Sequence, residues 1–346
     1  MRGKHRWGVA LLAVAAIAAG WFLVDRWRRS GFDAQVFLST LRQVDPRWLA
    51  AATALVLLTY YGRVLRWAVM IRHLTPKPSH WRLFSATAVG FTAVVLFGRP
   101  GEFVRPYLIA RREGTAVSAQ LAVWLLERIC DMLVVLILFA FGLTQIPDLA
   151  SLGPKLNFLI EAGGRAVMAL GGVCLVVLFV AGRHHEWAER RIHDALAILP
   201  AQPGDRAKRM VTAFLDGIES IRRPGSAALV AIYTILEWLV IAGAYYCLLE
   251  AFPATAGRSL SEVFAFLGLV ALGSAVQIPG IGGGMQVASV IVLTELFSVS
   301  LSAATGIALL TWIITFVIIV PVGAAFALHE GINWRKLKEM EVASQP

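Results

Sequence analysis

The chain has 346 residues, 58% of them hydrophobic and only 16% charged, with a formal net charge of +10. Its mean hydropathy is +0.69. A soluble domain carries more charge, so the composition excludes that class and indicates a polytopic helical membrane protein. The positive balance comes with no DNA- or RNA-binding motif, so no nucleic-acid partner is expected. It fits basic loops facing anionic headgroups.

In chain order, Arg2, Lys4 and Arg6 precede an apolar run at 7–24, read as an uncleaved first helix. A basic, polar segment follows to about residue 47, and a second span covers about 48–70. Arg63 and Arg66-Trp67 fall towards its end and read as snorkelling anchors. A Pro-containing loop occupies 75–79. The apolar run 83–97 is short for a span and stops at Gly98-Arg99-Pro100-Gly101, with 102–112 returning. This predicts a broken or re-entrant helix. Further spans are predicted at about 120–143 and 166–182, with a loop through Pro147 and 153–155 between them.

Residues 183–225 leave the membrane pattern. They are rich in Arg and Lys and predict two amphipathic helices joined at 200–204, a cytoplasmic connection at the membrane surface. A span at 227–249 follows. The run 263–278 ends in Pro279-Gly280-Ile281-Gly282-Gly283-Gly284, and a short helix resumes at 287–297. An apolar run at 303–328 precedes a polar tail at 330–346.

The expected fold is thus an all-α polytopic membrane protein, a single domain over 1–346. It has about eight membrane segments, two of them broken or re-entrant. Paired interrupted helices in two halves point to a transporter-like midplane site and to inverted pseudo-symmetry, although no residue-level repeat is visible. The basic loops place both termini in the cytoplasm, at the cost of leaving the basic 25–47 segment outside.

Charge within such a chain is costly and marks functional positions. Arg99, Glu102 and Arg105 follow each other at a spacing of three, which stacks them on one helical face. They read either as two phosphate-binding arginines restrained by a carboxylate, or as an internal ion pair at a helix break. Beside Arg128, Glu127 and Asp131 are four apart and share a helix face. The two acids repel unless a cation lies between them, from Arg99, Arg105 or a substrate amine. The other reading is a helix start at the interface, where acids favour the positive helix end.

Gly280, Gly282 and Gly283 read either as an anion-holding nest of N–H groups or as a hinge. Glu237 is an acid alone in an apolar run. His184, His185 and His193 show no ligand spacing, and Cys130, Cys174 and Cys247 show neither metal nor disulfide spacing. No metal, cofactor, nucleotide motif or nucleophile signature is present, so an enzyme is not expected.

Several of these pieces, in this order, resemble the transmembrane domain of lysylphosphatidylglycerol synthases and related stand-alone flippase-like membrane proteins. They are Gly98-Arg-Pro-Gly-Glu102-Phe-Val-Arg105-Pro, Leu126-Glu127-Arg128-Ile-Cys-Asp131, Phe214–Gly217 leading to Pro224, and Pro279–Gly284. The sequence departs from much of that family in having Gln286 where a Glu follows the second glycine-rich break. The resemblance implies a member without the soluble synthase domain, in the cytoplasmic membrane. Its expected role is translocation of a polar, anionic or aminoacylated phospholipid or lipid-linked compound between leaflets. Arg99, Arg105 and Arg128 are assigned to phosphate. Glu102, Glu127 and Asp131 orient them or bind an amine. The competing expectation is an accessory subunit docking a separate lipid-modifying enzyme or glycosyltransferase through 183–225. The partners in view are membrane lipids, such an enzyme, or a second copy of the chain.

Overall fold

The computed structural model describes residues 32–144, 153–183, 190–191, 201–274, 277–278, 280 and 282–329. The first span at 7–24, the first half of the 183–225 connection with His184, His185 and His193, and the tail at 330–346 lie outside the described residues. The rest is an all-α polytopic membrane fold. Five helices are long and apolar enough to cross a membrane, and two shorter apolar helices accompany them.

A short helix α1 (Ala34–Arg42) begins at an Asp33 cap, whose carboxylate accepts the Gln35 and Val36 N–H groups. Helix α2 (Pro46–Met70) begins in the same way at Asp45 with Pro46 in the first turn. Helix α3 (His80–Phe97) ends at Gly98, whose φ of 73° and ψ of −148° suit glycine alone. A 3₁₀ turn (Arg99–Phe103) follows, then α4 (Val104–Glu113), which folds back on α3. The predicted broken helix is therefore a tight helical hairpin.

Helix α5 (Val117–Thr144) and helix α6 (Pro154–Arg183) come next. Helix α6 starts twelve residues before the expected span. Pro154 is tolerated in a first turn, and the Glu295 carboxylate accepts the Leu156 N–H at 2.9 Å. Helix α7 (Ala201–Arg222) is already helical through 201–204, where a junction was expected. It packs on α5, with Gly217 so close to Ala119 that a Cβ there would overlap the backbone.

Helix α8 (Pro224–Glu250) pairs with α2 along most of its length. Helix α9 (Leu260–Gly273), with a complete capping box at Ser259 and Glu262, leads into the second break. There β1 (Gln277–Ile278) and β2 (Gly282–Gly283) form a two-residue antiparallel hairpin, not foreseen from sequence, before α10 (Gly284–Glu295). Helices α9 and α10 also fold back on each other. The final apolar span, Leu301–His329, is continuous but not uniformly α-helical. It is α11 (Leu301–Trp312), a π-helical turn (Ile313–Val317) and α12 (Val320–His329).

Three apolar clusters hold these elements. One gathers α8 to α11 around Phe252, Phe266, Val292 and Leu293. A second gathers α2 to α5 around Trp67, Leu83, Ile109 and Val123. The third joins the two through Ala52 and Val56 of α2, Ala244 and Leu248 of α8, and Ile314. The charged site lies where these clusters adjoin.

Candidate functional site

Four helices each contribute charge to one buried cluster. Arg63 and Arg66 come from successive turns of one face of α2, and Arg105 from the first turn of α4. Glu127, Arg128 and Asp131 come from α5, and Glu237 from α8. Arg66 is fully buried at the centre. Its Nη1 donates to Asp131 Oδ1 at 2.8 Å and to Thr234 Oγ1 at 3.1 Å. Its Nη2 lies 3.3 Å from Glu127 Oε1 and 3.4 Å from Glu237 Oε2.

Arg105 Nη1 donates to both oxygens of Glu127 at 3.0 and 3.1 Å, and Nη2 donates to the Arg63 carbonyl at 3.3 Å. Arg128 Nη2 donates to Glu127 Oε1 at 2.7 Å and lies 3.0 Å from Asp131 Oδ2. Arg63 Nη2 lies 2.9 Å from Glu237 Oε1. Trp238 Nε1 donates to Asp131 Oδ1 at 3.3 Å.

Aromatic rings support the guanidinium groups from behind. The Arg105 guanidinium sits 4.1 Å from the centre of the Trp67 ring, and that of Arg63 sits 5.0 Å from Phe91. Trp67 is held in turn, since its Nε1 donates to Gln120, which donates to Thr115. The approach of α3 to α4 is close. A Cβ on Gly90 would lie 2.6 Å from the Arg105 Cβ, so Gly90 lets Arg105 reach the cluster.

A cavity of about 380 Å³ opens beside the cluster. Its polar end is lined by Arg63, Arg99, Glu102, Arg105, Arg128 and Asp131. Its apolar wall includes Trp238, Ile241 and Tyr245 of α8, Leu267 and Val270 of α9, and Leu170 of α6. Such a combination suits a ligand that is charged at one end and apolar at the other.

The order of exposure decides which sign of charge faces a ligand. The Arg99, Arg128 and Arg63 side chains are 46%, 33% and 15% exposed. Those of Glu102 and Asp131 are 12% exposed, and those of Glu127 and Glu237 1% or less. The three most exposed charged groups at the cavity are thus guanidinium groups. Glu102, Asp131 and the buried Arg105 line it with less exposure, and Arg66, Glu127 and Glu237 lie behind.

Of the residues singled out from sequence, Arg105, Glu127, Arg128 and Asp131 share this one cluster. Arg99 and Glu102 pair with each other at the same cavity. Gly280, Gly282 and Gly283 do not line it. The Gly280 N–H donates to the Val95 carbonyl at 2.9 Å, that of Gly283 donates to Gln286 Oε1 at 2.7 Å, and Gly282 pairs with Ile278 in the hairpin. The Gly280 bond joins the second break to the end of α3, and the other two close the break on itself.

The reading of Arg63 and Arg66 as snorkelling anchors is corrected. Both point inward, and Arg66 has no exposed surface. Arg66 lies one turn before the end of α2, three residues from Arg63, in a buried stripe with Val56, Tyr60 and Met70. That spacing was the available signal. Glu237 finds its partners in these same two arginines. Among the described residues, no three His, Cys, Asp or Glu side chains are grouped to hold a metal ion.

Residues 7–323 match the family described as Lysylphosphatidylglycerol synthase TM region. The chain belongs to this family. No curated protein and no solved structure matches it. Membership in the lysylphosphatidylglycerol synthase transmembrane family makes the chain a multi-pass membrane protein linked to lipid modification or translocation. The buried charge cluster and both helix breaks lie inside the matched region.

Proposed function

We propose that the chain translocates a polar, anionic or aminoacylated phospholipid or lipid-linked compound between the leaflets of the cytoplasmic membrane. The observation that carries this reading is the outward turn of the arginines. The Arg99, Arg128 and Arg63 guanidinium groups are the most exposed charges at a cavity beside the first broken helix, while Glu127 and Glu237 lie behind them. Arg128, Arg63 and Arg99 take the phosphate, for which a planar fork of donors is suited. Glu127, Asp131 and Glu237 hold those forks in place. The acyl chains stay in lipid.

Family membership supports the lipid class of the substrate. Both termini face the cytoplasm in this reading, and the lipid leaves chemically unchanged. Rocking of the two helical hairpins exposes the cavity to each leaflet in turn.

The test is leaflet redistribution of labelled phospholipids in proteoliposomes, comparing the parent protein with Arg128→Gln. Arg128 reaches the cavity, so its loss is expected to slow redistribution at least about tenfold, roughly one charge-assisted hydrogen bond. The melting temperature should fall as well, since Glu127 and Asp131 lose a partner, so the rates are compared on folded protein. An unchanged rate in well-folded protein overturns the assignment.

A further inference from the structure

The charges of the site do not balance. Arg63, Arg66, Arg99, Arg105 and Arg128 face four carboxylates, Glu102, Glu127, Asp131 and Glu237. The described cluster therefore carries one positive charge in excess. No carboxylate is left over for an incoming cation. Glu102 is paired with Arg99, Glu127 with Arg66, Arg105 and Arg128, and Glu237 with Arg63. Asp131 takes Arg66, Arg128 and Trp238. An excess charge inside the membrane is costly until something neutralises it.

We infer that the ligand of this cavity carries a phosphodiester monoanion with no compensating cation in its headgroup. The inference rests on the reading of the cavity as a headgroup site, and it narrows that reading. One negative charge brings the cluster to neutrality. A zwitterionic headgroup leaves the excess in place. A lysylated phosphatidylglycerol, with two ammonium groups against one phosphate, brings a net positive charge of its own to the exposed guanidinium groups. A doubly charged phosphomonoester overshoots by one. Selectivity then comes from rejecting the wrong charge as well as from binding the right one. The phosphodiester can belong to a membrane lipid or to a water-soluble ester, and the chemistry at the arginines is the same.

The experiment uses the full chain with short-chain labelled phosphatidylglycerol, phosphatidylethanolamine, lysyl-phosphatidylglycerol and phosphatidic acid. Binding is measured in detergent and redistribution in proteoliposomes. Phosphatidylglycerol is expected to bind at least about tenfold more tightly than phosphatidylethanolamine and lysyl-phosphatidylglycerol, whose ammonium groups meet guanidinium groups, and than phosphatidic acid, whose second negative charge is desolvated with no excess cation left to meet it. Equal or tighter binding of the zwitterionic, cationic or phosphomonoester lipid overturns the inference. Selective binding of phosphatidylglycerol with no redistribution upholds the charge rule and overturns translocation.

Glycerophosphoglycerol, as a competitor, separates the two sources. Weak competition identifies the lipid, and competition equal to the lipid's identifies a free ester. Arg128→Gln removes the excess charge and should erase the preference for phosphatidylglycerol over phosphatidylethanolamine. Persistence of that preference in folded variant protein also overturns the inference. If the variant does not fold, the comparison of lipids on the parent protein still decides.

Discussion

The two helix breaks share a geometry and differ in chemistry. Each is a helical hairpin interrupted by glycine, α3 to α4 in the first half and α9 to α10 in the second. The first carries Arg99, Glu102 and Arg105 and is wired into the buried cluster. The second has its acids, Glu262 and Glu295, only at the far ends of its two helices, and among the described residues the break itself carries no charge and is closed by backbone pairing and by Gln286. They meet directly: Gly280 N–H donates to Val95 O at 2.9 Å, and Arg99 Nη2 donates to Ser274 O at 2.8 Å. One break supplies charge, and the other supplies a neutral wall with carbonyl acceptors. A pair of matched hairpins therefore does not require matched chemistry, and a ligand's charged end has one side to choose.

The largest effect is expected at the centre of the charged half. Arg66→Met keeps the length of the side chain but leaves Glu127, Asp131 and Glu237 with one guanidinium fewer at a position that has no exposed surface. Removing one partner of a buried ionic network typically costs about 3–5 kcal/mol. The expected outcome is loss of folded protein, read as membrane yield and thermal melting in detergent. A variant that melts with the parent protein would show that the remaining arginines suffice, and would break the view of Arg66 as the hub.

A smaller effect is expected where α3 meets α4. Gly90→Ala places a methyl group 2.6 Å from the Arg105 Cβ, so one helix must move. Forced overpacking of this kind costs about 1–3 kcal/mol. The shift is passed to Arg105, so binding of an anionic lipid should weaken along with the melting temperature. Unchanged binding and stability would mean that the hairpin has slack and does not set the position of Arg105.

Much of this contrast could be read along the chain. Gly98, Pro100 and Gly101 announced a break because glycine and proline act locally. Glu127-Arg128 with Asp131 stood out because charge is rare in an apolar run. Arg66 was misread for a physical reason. Nearness to the end of an apolar run suggests snorkelling, but the direction of a side chain is set by its helical face. Arg66 shares its face with Arg63 and with the core position Met70. Contacts between distant segments left no local trace at all. Nothing around Gly280 indicates that its N–H meets Val95, and nothing around Glu295 indicates that it caps α6. The glycine-rich segment showed that the backbone turns there, and left open whether its N–H groups face a ligand or a helix.

The smallest effect separates those two uses of the second break. Gly280 has φ of 72°, and a Cβ there would meet nothing within 4 Å. Gly280→Ala therefore adds only the backbone cost of the left-handed conformation, about 1–2 kcal/mol. The N–H is retained, so the bond to Val95 survives. If the glycine break is framework, the melting temperature falls modestly and the affinity for an anionic lipid stays at the parent value. If its N–H groups instead form an anion nest, the methyl group intrudes on the ligand, and affinity falls more than stability. Measuring both quantities on one preparation distinguishes these outcomes. A drop confined to binding would move part of the phosphate site from the charged break to the neutral one.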